Sequence, residues 1–295
     1  MPRVVILTLA LLAVYIFWGS TAAAMRVAVA TIPPFALAAI RFIVAGAMLW
    51  TYARLRGVPL PPAREWRDAA IAGALLLVLG NAAFAWVLQY LPSSLGALVF
   101  SLSPLWMAVL AATFDRERIA PVGIVGLLLG LIGMAYLLAP SSASHLPLVP
   151  VLVGVASSVF WAIGSLVQRR FPSVDTIQTS GMQMFVGGIM LSVIAPLAGE
   201  HLGAVEFTPT ALGALGFLIV FGSLLGYSSY VWLFRNVGTT LASTYAYVNP
   251  IVAIAIGGLL LHETLTARTL VGAAVIIAGV GLMIAAAPAK KATSS

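Results

Sequence analysis

The chain has 295 residues, of which 62% are hydrophobic and 8% charged, with a mean hydropathy of +1.09. A soluble globular chain is about 45–50% apolar and about 25% charged, so a water-soluble fold is excluded at the outset. A net charge of +7 would point a soluble protein toward nucleic acid, but in a membrane protein the positions of the cations matter more than their sum. There is no cysteine, hence no disulfide, thiolate metal site or cysteine nucleophile.

A helix crosses a bilayer with about 20 apolar residues. The chain divides into ten such runs, at 4–28, 34–54, 69–90, 93–114, 120–139, 148–168, 177–197, 210–233, 239–261 and 266–287. The connections are short, and His145, His201 and His262 all lie in them. Arg3, the apolar stretch after it and Ala22-Ala23-Ala24 also resemble a secretory signal, but the first run has a repeat partner further on, which favours a retained span. With the N-terminus inside, Arg3, Arg54, Arg56, Arg64, Arg67, Arg116, Arg118, Arg169, Arg170, Arg235, Lys290 and Lys291 fall on the inner side. Only Arg268 lies in an outer connection, with Arg26 and Arg41 within or near span ends. This bias predicts a multi-pass plasma (inner) membrane protein with both termini cytoplasmic.

Self-comparison then divides the chain. At an offset of 146, Gly80 meets Gly226, Trp86 meets Trp232, Leu95 meets Leu241, Pro104 meets Pro250, Glu117 meets Glu263, Gly126 meets Gly272 and Gly133 meets Gly279. At an offset of 143, Phe17-Trp18 meets Phe160-Trp161, Arg26 meets Arg169 and Phe42 meets Phe185. Five spans per half is an odd number, so the second half enters the membrane inverted. The expectation is an all-α integral membrane protein of ten transmembrane helices as two inverted five-helix repeats, residues 1–142 and 143–295. Such a pair of bundles has two nearly equivalent packings, the basis of alternating access. Pro104 and Pro250 lie about 15 Å into their spans, near the midplane, where each frees a carbonyl and bends its helix. They read as a hinge or gating pair.

Phe17-Trp18-Gly19-Ser20, Arg41-Phe42, Ser101-Leu102-Ser103-Pro104-Leu105 running to Glu117, and Asn249-Pro250 running to Glu263-Thr264-Leu265-Thr266 resemble EamA-type members of the drug/metabolite transporter superfamily. The resemblance covers the whole chain in two copies. It implies ten helices, alternating access and export of small metabolites, and within the family the YddG-like amino-acid exporters are the first comparison.

Polar groups in lipid are costly unless they face a cavity or one another. The candidate substrate-binding residues are Trp18, Arg41, Asn81, Ser103, Trp161, Gln183, Tyr227, Tyr245 and Asn249. Tyr245 and Asn249 share a helix face; Trp18, Trp161, Trp86 and Trp232 offer apolar walls for a flat ligand, while Trp50 fits an interfacial belt, the alternative for Trp86 and Trp232 near span ends. Arg41 can take a carboxylate, cap helix carbonyls or snorkel outward. Individual hydroxyls such as that of Ser103 also bond back to their own helix. Spans 5 and 10, nearly free of polar groups and rich in glycine, read as scaffold or a homodimer surface. Glu117 and Glu263 suit helix ends better than substrate.

All eight acidic residues map to connections or span ends, which favours facilitated downhill export over proton coupling. The scarcity of embedded charge disfavours phosphorylated cargo and leaves small neutral, zwitterionic or aromatic molecules, led by amino acids. Proton-coupled efflux of drugs or other small organic molecules is the alternative. The zinc and nucleophile motifs of hydrolases are missing, so an enzyme is not expected. Nor does the sequence call for a cofactor, a metal or nucleic acid; the expected partners are a small-molecule substrate and the lipid bilayer.

Overall fold

The computed structural model describes residues 3–114, 120–138, 147–171, 175–200, 203, 205–237, 242 and 244–285. Glu117 and Leu241 of the repeat register lie outside these residues, as do His145, His201, Lys290 and Lys291. The described residues are helical, with no strand among them. Seven helices are long and apolar enough to cross a membrane, and shorter apolar helices complete the bundle.

In chain order, α1 is Val4–Ala28, α2 Pro34–Leu55 and α3 Ala63–Val87. The fourth apolar run is two helices, α4 (Ser93–Phe100) and α5 (Ser103–Phe114), followed by α6 (Pro121–Leu138). Then come α7 (Leu148–Gln168), α8 (Thr176–Leu197) and α9 (Pro209–Asn236), and finally α10 (Tyr245–Leu260) and α11 (Ala267–Ala285). Pro34, Pro121 and Pro209 open their helices, where a missing N–H costs nothing. The chain alternates between two faces of the bundle: the near face, where α1 starts, and the far face, where it ends.

Helix α3 starts six residues earlier than the apolar run, so Glu65 and Asp68 belong to a helix rather than a connection. Asp68 is 3% exposed. Window hydropathy undercounts this turn because Arg64, Glu65 and Arg67 sit beside it, though Ala69-Ala70-Ile71-Ala72 continues straight into the apolar stretch.

Several helices meet almost backbone to backbone. Between α2 and α8, a Cβ at Gly46 would lie 2.5 Å from the Phe185 nitrogen; between α6 and α11, a Cβ at Gly279 would lie 2.5 Å from the Gly130 nitrogen and 2.6 Å from the Gly126 carbonyl. In lipid no hydrophobic force drives helices together, and small residues that permit such approach supply the packing energy. The glycine faces of the fifth and tenth apolar runs are thus used on each other. Val122, Ile124, Leu128, Leu270 and Val271 on the outer sides of that pair are exposed, as a lipid-facing surface requires.

The two repeat-equivalent prolines behave differently. Pro250 lies inside continuous α10. Pro104 does not bend a helix: the chain breaks at Ser101-Leu102 and Pro104 is the second residue of α5. Pro104 has no N–H for the Phe100 carbonyl one turn earlier; the Ser103 hydroxyl donates to that carbonyl instead.

Candidate functional site: a central aromatic cavity with a buried arginine

Three segments wind as π-helix: Ala13–Trp18 in α1, Ala74–Ala82 in α3 and Leu218–Tyr227 in α9. The latter two superimpose at the offset of 146, with Gly80 on Gly226 and Asn81 on Tyr227. A π-turn pairs N–H with a carbonyl five residues back, disturbs the ladder and is frequent at functional sites. Here side chains from the opposite half fill in. Trp18 Nε1 donates to the Gly222 carbonyl at 2.8 Å, inside the π segment of α9. The Asn249 amide, with its nitrogen turned to the surrounding carbonyls, donates to Val14 and Tyr15 at 3.1 and 3.3 Å, inside that of α1.

The same reciprocity governs packing. A Cβ on Gly80 would meet Trp161 Cε3 at 3.1 Å, and a Cβ on Gly226 would overlap the Trp18 indole. Each half therefore lays its first-helix tryptophan on the glycine of the other half's π segment, and the two indoles meet edge to face at 5.5 Å. Tyr230 and Tyr245 complete the aromatic nest, with rings 4.9 and 5.8 Å from Trp18. Trp161 Nε1 reaches the Tyr245 hydroxyl at 3.3 Å, and Ser165 bonds the Tyr230 hydroxyl. Tyr230 is fully buried and escaped the sequence reading, although it lies three residues after Tyr227 and hence on the same helix face.

Above this nest lies a cavity of about 60 Å³ lined by Trp18, Asn81, Trp161, Tyr245, Asn249 and Pro250, together with Thr21, Met25, Phe84, Phe100 and Ser101. Six residues singled out from sequence thus share one cavity. Arg41 lies one side chain back and is 4% exposed: its Nη1 donates to Asn81 Oδ1 at 3.3 Å and its Nε to Ser223 Oγ at 2.7 Å. Its guanidinium also sits 5.0 Å from the Phe42 ring centre. The Arg41 charge is held by neutral groups, with no carboxylate paired to it among the described residues. Tyr227 and Gln183 lie on the other flank, the tyrosine hydroxyl donating to Gln183 Oε1 at 2.6 Å. Ser103 does not line this cavity; its hydroxyl is occupied by Phe100.

Two further polar features lie at the far face. A recess of about 460 Å³ is lined by Thr31, Phe35, Trp86, Gln89, Glu200 and Glu206, among others. The Glu200 carboxylate caps α2, accepting from the Phe35 and Ala36 N–H groups at 3.0 and 2.8 Å. Glu263 likewise caps α4: it accepts from Ser93 N–H and hydroxyl at 2.6 and 2.7 Å and from Ser94 N–H and hydroxyl at 3.1 and 2.7 Å. Partial burial alone would raise its pKa, but these four donors outweigh that and hold the carboxyl below its usual value. Glu263 therefore serves a helix end, as its sequence position suggests.

A helical membrane bundle with a polar, aromatic cavity between two halves that clasp each other reciprocally has the construction of a membrane transporter. The sequence matches the EamA-like transporter family twice, over residues 5–139 and 148–285, and the chain belongs to that family. It is 35% identical over 275 residues to the protein named uncharacterized inner membrane transporter YedA of Escherichia coli K12, covering 93% of this chain and 89% of that one. It is 27% identical over 280 residues to uncharacterized transporter YvbV of Bacillus subtilis, covering 95% and 92%. A solved crystal structure with 22% identity shares the fold, with a TM-score of 0.69 over 94% of each chain. The protein is a transporter and not an enzyme.

Proposed function

We propose that the protein is an alternating-access carrier of the inner membrane, with ten spans as two inverted five-helix repeats, that exports small metabolites, foremost aromatic or neutral amino acids, by facilitated downhill transport. One observation carries this reading: the buried Arg41 guanidinium, without a carboxylate partner among the described residues, stands behind Asn81 at the wall of an aromatic cavity. Burying an arginine against neutral groups is costly, and a substrate carboxylate on its planar fork offsets that cost. The indoles of Trp18 and Trp161 and the ring of Tyr245 then enclose the apolar part of the cargo. Asn81, Gln183, Tyr227 and Asn249 serve as substrate-binding or supporting groups, and Pro104 and Pro250 mark the places where the helices flex. Ser103 acts in this reading by satisfying the Phe100 carbonyl, and a homodimer, if formed, uses the lipid-facing sides of α6 and α11.

Glu200 and Glu206 beside Trp86 in the far recess favour a second reading, proton-coupled efflux of cationic organic molecules. Uptake of labelled amino acids into proteoliposomes, with and without a pH gradient, separates the two. The amino-acid reading expects saturable uptake without a gradient, cut more than about tenfold by Arg41→Met, given the 1.5–3 kcal/mol of a charged hydrogen bond. Movement of lipophilic cations alone, indifferent to Arg41→Met and dependent on the gradient, would overturn it.

A further inference from the structure

At the opposite end of the route from the open recess, on the near face, the bundle closes around a cavity of only about 10 Å³, lined by Glu65, Asp68, Phe171, Thr179, Gln183 and Arg235 among others. That is room for about one water. Asp68 Oδ1 accepts from Arg67 at 3.0 Å, and Arg64 stands 4.0 Å from Oδ2; both arginines are more than half exposed. Asp68 Oδ2 is nevertheless buried without a hydrogen bond, and so is Arg235 Nε across the void. The carboxylate comes from α3 in the first half and the guanidinium from α9 in the second. Buried polar atoms without partners are rare in a settled structure and ask for an explanation. A metal cation does not provide one, because Arg64, Arg67 and Arg235 surround two carboxylates.

We propose that Asp68 and Arg235 form the latch of the near mouth, joined through one bridging water when the mouth is shut and parted when it opens. The latch is wired to the central cavity. Gln183 lines the latch and accepts the Tyr227 hydroxyl, whose ring lies 6.5 Å from both Trp18 and Trp161. Cargo that displaces the indoles moves Tyr227 and through it Gln183, so occupancy of the centre reaches the seam between the halves. The inference rests on the alternating-access reading but not on the identity of the cargo.

The absence of cysteine makes the test clean. Met182 lines the latch and is 1% exposed, so Met182→Cys places one thiol there, and its modification by a charged methanethiosulfonate is timed with the protein in lipid nanodiscs. In this background Asp68→Asn and Arg235→Gln each raise the rate about three- to tenfold, the worth of one hydrogen bond, and the double variant gains little over the faster single one. Unchanged rates in both single variants, or effects that simply multiply, overturn the latch. Should Asp68→Asn fail to give monodisperse protein, Arg235→Lys, which keeps the charge but loses Nε, must still raise the rate, and an unchanged rate overturns the proposal. Faster labelling alongside silent amino-acid uptake supports the latch and removes only the cargo reading.

Discussion

Glu263 is where removal of a single side chain acts across the whole molecule. Its carboxylate receives four hydrogen bonds from Ser93 and Ser94, in the other half of the chain and at the first turn of α4. Loss of an N-cap acceptor costs about 0.5–2 kcal/mol, loss of a favourable charge at a helix N-terminus about 0.3–1 kcal/mol, and Ser93 and Ser94 are buried at 0% and 3% exposure, so their hydroxyls lose a partner as well. Glu263→Ala is therefore expected to destabilise by about 3 kcal/mol, a fall in Tm of about 6–12 °C at about 2–4 °C per kcal/mol for larger domains. Glu263→Gln keeps an acceptor for one serine and should lie between. Intrinsic tryptophan fluorescence during thermal unfolding in detergent reads both. Because the folded-state pKa is depressed below 4.5, the contribution is complete above the unfolded value and fades as pH falls through the folded one. The Tm gap between the parent and Glu263→Gln should thus hold at neutral pH and narrow below about pH 4. A fall of less than about 2 °C for Glu263→Ala, or a gap that widens on acidification, would refute the assignment.

Gly226→Ala drives a methyl into the Trp18 indole, and Gly80→Ala sets one 3.1 Å from buried Trp161, closer than ordinary van der Waals contact; overpacking costs about 1–3 kcal/mol, so both should lose Tm and uptake, the first more than the second. Tyr227→Phe strips buried Gln183 of its donor and should cost about 1–3 kcal/mol, readable as a lower Tm, while leaving the aromatic cluster in place. Gly279→Ala is opposed by backbone of α6 that cannot yield and should destabilise. Gly213→Ala in α9 meets nothing within 4 Å and should be neutral or stabilising by up to about 1 kcal/mol; reversal of that order in thermal melts would contradict the packing described for α6 and α11.

The sequence by itself determined that the chain lives in a bilayer, nearly where each apolar run lies, and which pairs of residues correspond between the halves. Apolar runs about 20 residues long and rare residues at a fixed offset are one-dimensional signals that no fold can hide. It also singled out Trp18, Asn81, Trp161, Tyr245 and Asn249, because embedded aromatic and amide groups stand out against lipid. Only the tertiary structure decided what these groups touch. The π segments meet residues far away in sequence: Trp18 lies on Gly226 and bonds the Gly222 carbonyl, 208 and 204 positions on, and Trp161 lies on Gly80, 81 positions back. Pro104 and Pro250 look identical in sequence, yet one follows a break and the other sits within a helix, since a freed carbonyl is settled by whichever donor folding brings near. Asp68, read as the edge of a connection, became a buried carboxylate when α3 extended one and a half turns and α7 and α8 packed against that turn: burial is a property of neighbours, and neighbours are not written in the local sequence.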